Sequence, residues 1–141
     1  MYHKFFRLIY MSCILVFIPL LANAELSTRD VWDNLKKLLE TGGYQVIGQE
    51  ISVGSDLSIK NVQISFEVDA QTDINFDISS VDLPKNKDGF IYIRLPEEIY
   101  VQYLNEDEFG YKTEASILVR ARELDFKVSG ELSQVLYQLT A

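Results

Sequence analysis

Apolar positions follow two different periods along this chain, and the change between them marks its architecture. Over residues 26–41, Val31, Trp32, Leu35, Leu38 and Leu39 recur at the spacing of one helix face. Ser27 suits the N-cap, and Asp30 stands three residues later, where its carboxylate can reach back to the cap and favour the helix dipole. Leu26 and Val31 fall at the two positions of a hydrophobic staple. Gly42 and Gly43 end the helix, because glycine takes the left-handed conformation a helix C-terminus uses. Trp32 lies on the apolar stripe, so it is expected as a core anchor and not as a ligand-stacking residue.

From Tyr44 the period becomes two, which predicts strands. The first carries Tyr44, Val46, Ile51 and Val53 and is loosened at Gly48. After a turn at Gly54, Ser55 and Asp56, the second carries Leu57 and Ile59, slips parity, and continues with Val62, Ile64, Phe66 and Val68. A polar loop over residues 69–73 leads into Ile74, Phe76 and Ile78, another slip, then Val81 and Leu83. Pairing these two as a hairpin whose partner numbers sum to 142 places both slips at the same height. A one-residue change of parity moves an apolar set to the other face. A coordinated switch therefore predicts either a ribbon turning a sheet corner or paired bulges in one curved sheet.

Pro84 to Gly89 reads as a turn. Residues 90–95 form a nearly continuous apolar run, expected to be a strand buried on both faces. Pro96 breaks it, and Ile99, Val101 and Tyr103 resume the alternation. After an acidic loop over residues 105–110, Ala115, Ile117, Val119 and Ala121 alternate, slip near Arg122 and Glu123, and continue as Leu124, Phe126 and Val128. Ser129 and Gly130 suggest a turn into Val135, Tyr137 and Leu139. The expected fold is α+β and mostly β: one N-terminal amphipathic helix packed on an antiparallel meander of seven or eight strands, curved or turning a sheet corner.

The N-terminus changes what the composition means. Lys4 and Arg7 precede an uncharged stretch over residues 8–21, and Ala22, Asn23 and Ala24 follow. This is the order of a secretory signal peptide over residues 1–24, too short and too interrupted by Pro19 for a spanning helix. Cys13 sits inside the apolar run, ahead of the better cleavage site, so a lipidated cysteine is rejected. Residues 25–141 are then one domain, with no stable membrane span after cleavage. The last strand runs to Ala141 without a polar tail, which raises the expectation that this domain is the first part of a longer protein.

The leader holds two of the 13 basic residues and none of the 21 acidic ones, so the domain is more acidic than the chain's net charge of −8. That balance argues against nucleic acid and against electrostatic docking on anionic lipid. The one His (His3) and the one Cys (Cys13) also lie in the leader. Nucleophilic catalysis would then rest on Ser, Thr, Lys or a carboxylate, with no nucleophile elbow, Ser-x-x-Lys pair or phosphate-binding glycine loop to support it. Zinc lacks its usual ligands, while calcium, which needs only oxygens, finds candidates in residues 105–108 and in Asp69 and Asp73 without any ordered loop spacing. No catalytic, cofactor-binding or metal-ligating residue is therefore assigned, and no cofactor is expected. Tyr92, Tyr100, Tyr103 and Tyr111 crowd the second half, where they could rim a core or an apolar ligand groove.

The succession of short motifs resembles an exported alphaproteobacterial family, domain-of-unknown-function family 2125. It rests on Val31-Trp32 in the first helix, Gly43-Tyr44-Gln45-Val46 entering the first strand, and Leu57-Ser58-Ile59 with Val62 after a glycine turn. Gly89 before a strand ending in Leu95-Pro96-Glu97, Val128-Ser129-Gly130 and Tyr137 complete it. Family members are often longer, so the resemblance implies export and likeness to their N-terminal portion. The family has no assigned activity, and the resemblance implies no functional residues. The expectation is a periplasmic or secreted, non-enzymatic envelope protein that binds an apolar ligand or a protein partner. The alternatives are a structural repeat module of a longer exported protein and, third, a carboxylate-based envelope hydrolase.

Overall fold

The computed structural model describes residues 25–122, 124–131 and 134–140. The expected leader, residues 1–24, and Ala141 lie outside them. Helix α1 spans Thr28–Thr41, and both halves of the capping box form: the Ser27 hydroxyl accepts the Asp30 N–H, and the Asp30 carboxylate accepts the Ser27 N–H. Leu26 and Val31, the staple pair, are both buried. At the other end Tyr44 N–H donates to Leu39 O and Gly43 N–H to Glu40 O, each at 3.1 Å, with Gly43 at φ 90°. This is a Schellman close, and it needs a residue without a Cβ at Gly43.

Eight strands follow: β1 (Gln45–Val53), β2 (Asp56–Asp69), β3 (Thr72–Leu83), β4 (Ile91–Arg94), β5 (Glu98–Glu106), β6 (Lys112–Arg120), β7 (Asp125–Glu131) and β8 (Gln134–Thr140). All pair antiparallel in one open sheet, so the mostly-β α+β architecture is as expected. The pairing shows a meander in disguise. β4 and β5 lie end to end along β3, through Asp82↔Arg94 and through Ile78↔Ile99 to Thr72↔Asn105. β7 and β6 lie end to end beside them, through Ile91↔Val128 and Glu98↔Arg120.

A crease crosses every one of these courses at one height. β1 shifts register between Ile47 and Gln49, around Gly48. β2 places Asn61 at φ 51°, and Asn61 drops out of the β2–β3 ladder opposite Ser79. Pro96, which has no N–H for a ladder, separates β4 from β5. Beside it Ala121 N–H donates to Glu97 O at 2.9 Å between β6 and β7. Leu57, Ile59, Val81 and Leu83 face the core above the crease, and Val62 and Ile78 face it below. The coordinated switch of apolar face is thus a property of one continuous sheet.

Three expectations are corrected. The β2–β3 register is two residues tighter than predicted, with Phe66↔Ile74, Val62↔Ile78 and Ile59↔Val81. Asp69 and Thr72 already pair across Ala70 and Gln71, and Asp69 Oδ1 accepts the Gln71 N–H at 2.9 Å, so the turn closes earlier. A shift of two preserves which face each side chain takes, which is why the apolar assignments survive. Residues 90–95 are not buried on both faces: Ile91 and Ile93 are buried, Tyr92 is half-buried and Arg94 is exposed. Ser129 and Gly130 are not a turn but stay in β7, paired with Leu136 and Val135, and the hairpin closes at Glu131↔Gln134.

The core lies between α1 and the sheet, with Val31 and Trp32 against Leu57, Ile59, Val62 and Val81. The start of the helix is tied to two turns. Thr28 Oγ1 donates to Ser55 O at 3.0 Å, and Lys85 Nζ donates to Leu26 O at 3.1 Å while pairing with Glu25 at 2.9 Å.

Candidate functional site

The helix covers only part of the sheet face it packs on. The side chains that follow Trp32 down its stripe, Leu35, Leu38 and Leu39, roof a groove of about 400 Å³. Its floor straddles the crease: Val62 and Ile78 come from below it, Val81 and Ile93 from above, with Leu95 and Phe126 beyond. No polar atom contributes to the lining. The volume is that of a small-molecule site, and such sites are mostly apolar with a few placed polar groups. This one lacks even those, so whatever enters is selected by shape and by the gain of leaving water.

Tyr137 closes the far wall. Its hydroxyl donates to Asn34 Oδ1 of α1 at 2.7 Å, so it is spent on the protein and does not face a ligand. Burial pushes the phenol's pKa above its ordinary value. On the near side Glu50 accepts the Trp32 indole N–H at 3.1 Å through Oε1, and Arg29 at 2.6 Å through Oε2. The roof is therefore held at both borders by hydrogen bonds from strands.

The groove does not end at the helix. Residues directly opposite in antiparallel strands share a face. Below the crease the pairing aligns Val62, Ile78, Ile99 and Val119 in one row. The next row is Ile64, Phe76, Val101 and Ile117, and a third is Phe66, Ile74, Tyr103 and Ala115. Strands spaced about 4.8 Å apart give each row a length of about 14 Å. The opposite face is mainly polar, with Gln63, Asp77, Ser65, Asn75, Gln102 and Ser116 on it. The apolar rows begin buried beneath α1 and end exposed, with Ile117 59% accessible on β6.

The tyrosines singled out in the sequence do not converge. Tyr103 belongs to the apolar rows, but Tyr100 lies on the opposite face, Tyr92 points away from the core-facing Ile91 and Ile93, and Tyr111 is exposed near the β5–β6 turn. Tyr137, which does reach the groove, stood apart from them in the sequence. The acidic turns use their carboxylates locally. Asp107 Oδ1 accepts the Phe109 and Tyr111 N–H groups at 2.9 Å each, and Asp69 caps its own turn. Asn105 Nδ2 donates to Thr72 Oγ1 at 2.9 Å, joining the β5–β6 loop to the β2–β3 turn. Among the described residues no group of three His, Cys, Asp or Glu side chains is placed to hold a metal ion. Among them, too, no helix is long and apolar enough to cross a membrane.

The sequence could name each groove residue as apolar but not as part of a groove. That property depends on α1 lying over some strands and leaving others bare. No family model matches the chain, and neither the curated proteins nor the solved structures provide a match.

Proposed function

We propose that this chain is a non-enzymatic, exported envelope protein that binds the acyl chains of a lipid. The observation that carries the reading is the groove beneath α1, lined without polar atoms and continuous with the exposed apolar rows of β5 and β6. An acyl chain is long, flexible and featureless, and a long apolar strip with no hydrogen-bonding group suits it better than it suits a compact polar metabolite. Each methylene buried contributes about 0.8 kcal/mol, so a chain occupying groove and strip together gains enough to be retained. A domain whose leader sends it out of the cytoplasm meets such ligands in the bacterial envelope, as a periplasmic or secreted protein. The resemblance to the exported family of unknown function fits the same placement.

Native mass spectrometry of the purified protein, with displacement of a fluorescent fatty acid as a second measurement, tests the reading. Leu38 is 61% exposed yet roofs the groove, so Leu38→Lys alters the site without opening the core. Wild-type protein carrying lipid, and roughly tenfold weaker fatty-acid binding by Leu38→Lys, are the expected results. A protein that neither co-purifies with lipid nor takes up the fatty acid would overturn the reading.

A further inference from the structure

The outermost strand of the apolar rows, β6, is an edge with an unusual symmetry. It pairs with β5 without a break, Glu98↔Arg120 through Glu106↔Lys112, so no bulge disturbs its nine residues. It contains no proline or glycine, and on its apolar side Thr113, Ala115, Ile117 and Val119 place no charge. Sheet edges in proteins that stay apart are blunted by such devices, and β6 has none of them along that side. The edge strand β1, by contrast, is interrupted at Gly48, and β8 carries no charged residue to set a register.

We propose that β6 pairs antiparallel with β6 of a second copy of this chain, about a twofold axis through Ile117. In that register partner numbers sum to 234. Ile117 meets Ile117 of the other copy, and Ala115 meets Val119 twice, all on the apolar side. On the polar side Glu114 meets Arg120 twice, and Ser116 meets Leu118 twice. Glu114 makes no ion pair among the described residues. Arg120 uses Nε on Glu98 at 3.0 Å, which leaves its terminal nitrogens for a second carboxylate. Moving the axis to Ser116 would set Lys112 against Arg120, two like charges inside the paired strands, whereas in the favoured register Lys112 faces Arg122, beyond the strand's end. Moving it to Leu118 would shorten the overlap and leave Glu114 facing Arg122, beyond the strand. Partners in the favoured register always have the same parity, so their outward backbone groups meet whichever set β5 leaves unpaired. The apolar rows of the two copies then become one surface.

Cysteine trapping in the full chain with Cys13→Ser distinguishes this register from chance collision. Side chains directly opposite in an antiparallel pair have Cβ atoms about 4.5–5.5 Å apart, close to disulfide range. Ile117→Cys is expected to give a covalent dimer on mild oxidation. Ala115→Cys alone is expected to give no covalent dimer, because its copy lies four residues away along the strand. Mixed Ala115→Cys and Val119→Cys proteins are expected to cross-link to each other. Sedimentation of the unsubstituted chain over a concentration series supplies the second measurement. A reversible dimer is expected, weakened roughly tenfold or more by Glu114→Arg, which sets like charges against Arg120. A chain that sediments as a monomer throughout would overturn the proposal, as would equal cross-linking at residues 115 and 117. A different protein found paired on β6 would overturn it too. None of these outcomes depends on whether lipid occupies the groove.

Discussion

Tyr137 and Asn34 stand 103 positions apart in the chain, and their side chains meet at 2.7 Å. The contact joins the last strand to the first helix, so β8 closes against α1 and the groove gains its far wall. The other side-chain hydrogen bonds that tie this helix to the sheet and its turns, those of Thr28, Lys85 and Glu50, all lie toward its N-terminal end.

Tyr137→Phe removes the hydroxyl and keeps the ring. Asn34 is near solvent and can turn to water, so the loss is that of one ordinary hydrogen bond, about 0.5–1.5 kcal/mol. A lowered thermal midpoint is expected, with hydrogen exchange quickening in the second half of α1 and little change in its first turn. In the unsubstituted protein a spectrophotometric titration should show one tyrosine ionising above the usual value near 10. A raised folded pKa means the unfolded chain loses that proton first. Its contribution to stability is therefore complete below the ordinary tyrosine range and declines as pH rises through the raised value.

Gly48 marks the crease in β1. A Cβ built there would lie 2.5 Å from Ile59 Cγ2 and 3.3 Å from Val62 Cγ2, and both of those side chains are fully buried. Gly48→Ala is expected to destabilise by about 1–3 kcal/mol, the usual penalty for overpacking a core. Denaturant unfolding would read this as a lower midpoint. The Gly54→Ala change is a contrast in mechanism, since its Cβ would meet nothing while its φ of 61° carries the strain.

How much of this was written in the sequence follows from how local each feature is. The capping box at Ser27 and Asp30, the staple at Leu26 and Val31 and the glycine close at Gly42 and Gly43 depend on residues a few positions apart, and all three form as read. The paired parity slips were visible because alternation is a local pattern. Their cause was harder to see: it needs Gly48, Asn61, Ser79 and Pro96 aligned across four courses of chain. The register missed by two residues because the alternation fixes parity, and only the turn at Ala70 and Gln71 fixes the count. The run at residues 90–95 misled because apolar content alone cannot tell a strand covered twice from one whose second face is half exposed. The groove was illegible for the same reason, since it depends on what α1 leaves bare.

Asp30 should make the helix cap sensitive to acid. Hydrogen bonds from the Ser27 side chain, and then from the Ser27 backbone, hold its pKa below the ordinary carboxylate value, against a small opposing effect of burial. A depressed folded pKa contributes stability above the unfolded value, and that stability is lost as pH falls through the folded one. Asp30→Asn should therefore lower the midpoint at neutral pH, and the difference from the unsubstituted protein should shrink below the unfolded carboxylate range. Asp30 stands at N3 and the Ser27 cap remains, so the scale at neutral pH is that of a carboxylate in the first turn, about 0.3–1 kcal/mol. Thermal melts across an acid series, with circular dichroism at helical wavelengths, would show it.

Glu50 tests the near border of the groove, and Trp32, the one tryptophan in the chain, reports on it. The carboxylate holds the indole N–H through one oxygen and Arg29 through the other. Trp32 is 3% exposed, but Glu50 lies at the solvent border, so Glu50→Ala removes the indole's protein partner and opens the N–H to water. The loss is that of one hydrogen bond partly replaced by water, about 1–2 kcal/mol. The Arg29 contact adds little to this, because exposed ion pairs contribute at most about 1 kcal/mol. Arg29→Ala should accordingly be mild, while Glu50→Ala should lower stability and shift Trp32 emission to the red as water reaches the ring. Trp32 also lines the groove, so titrating the unsubstituted protein with a long-chain fatty acid should change the same emission. Leu38→Lys should blunt that response without moving the starting spectrum. A Glu50→Ala spectrum identical to the wild type would mean that packing alone positions the indole.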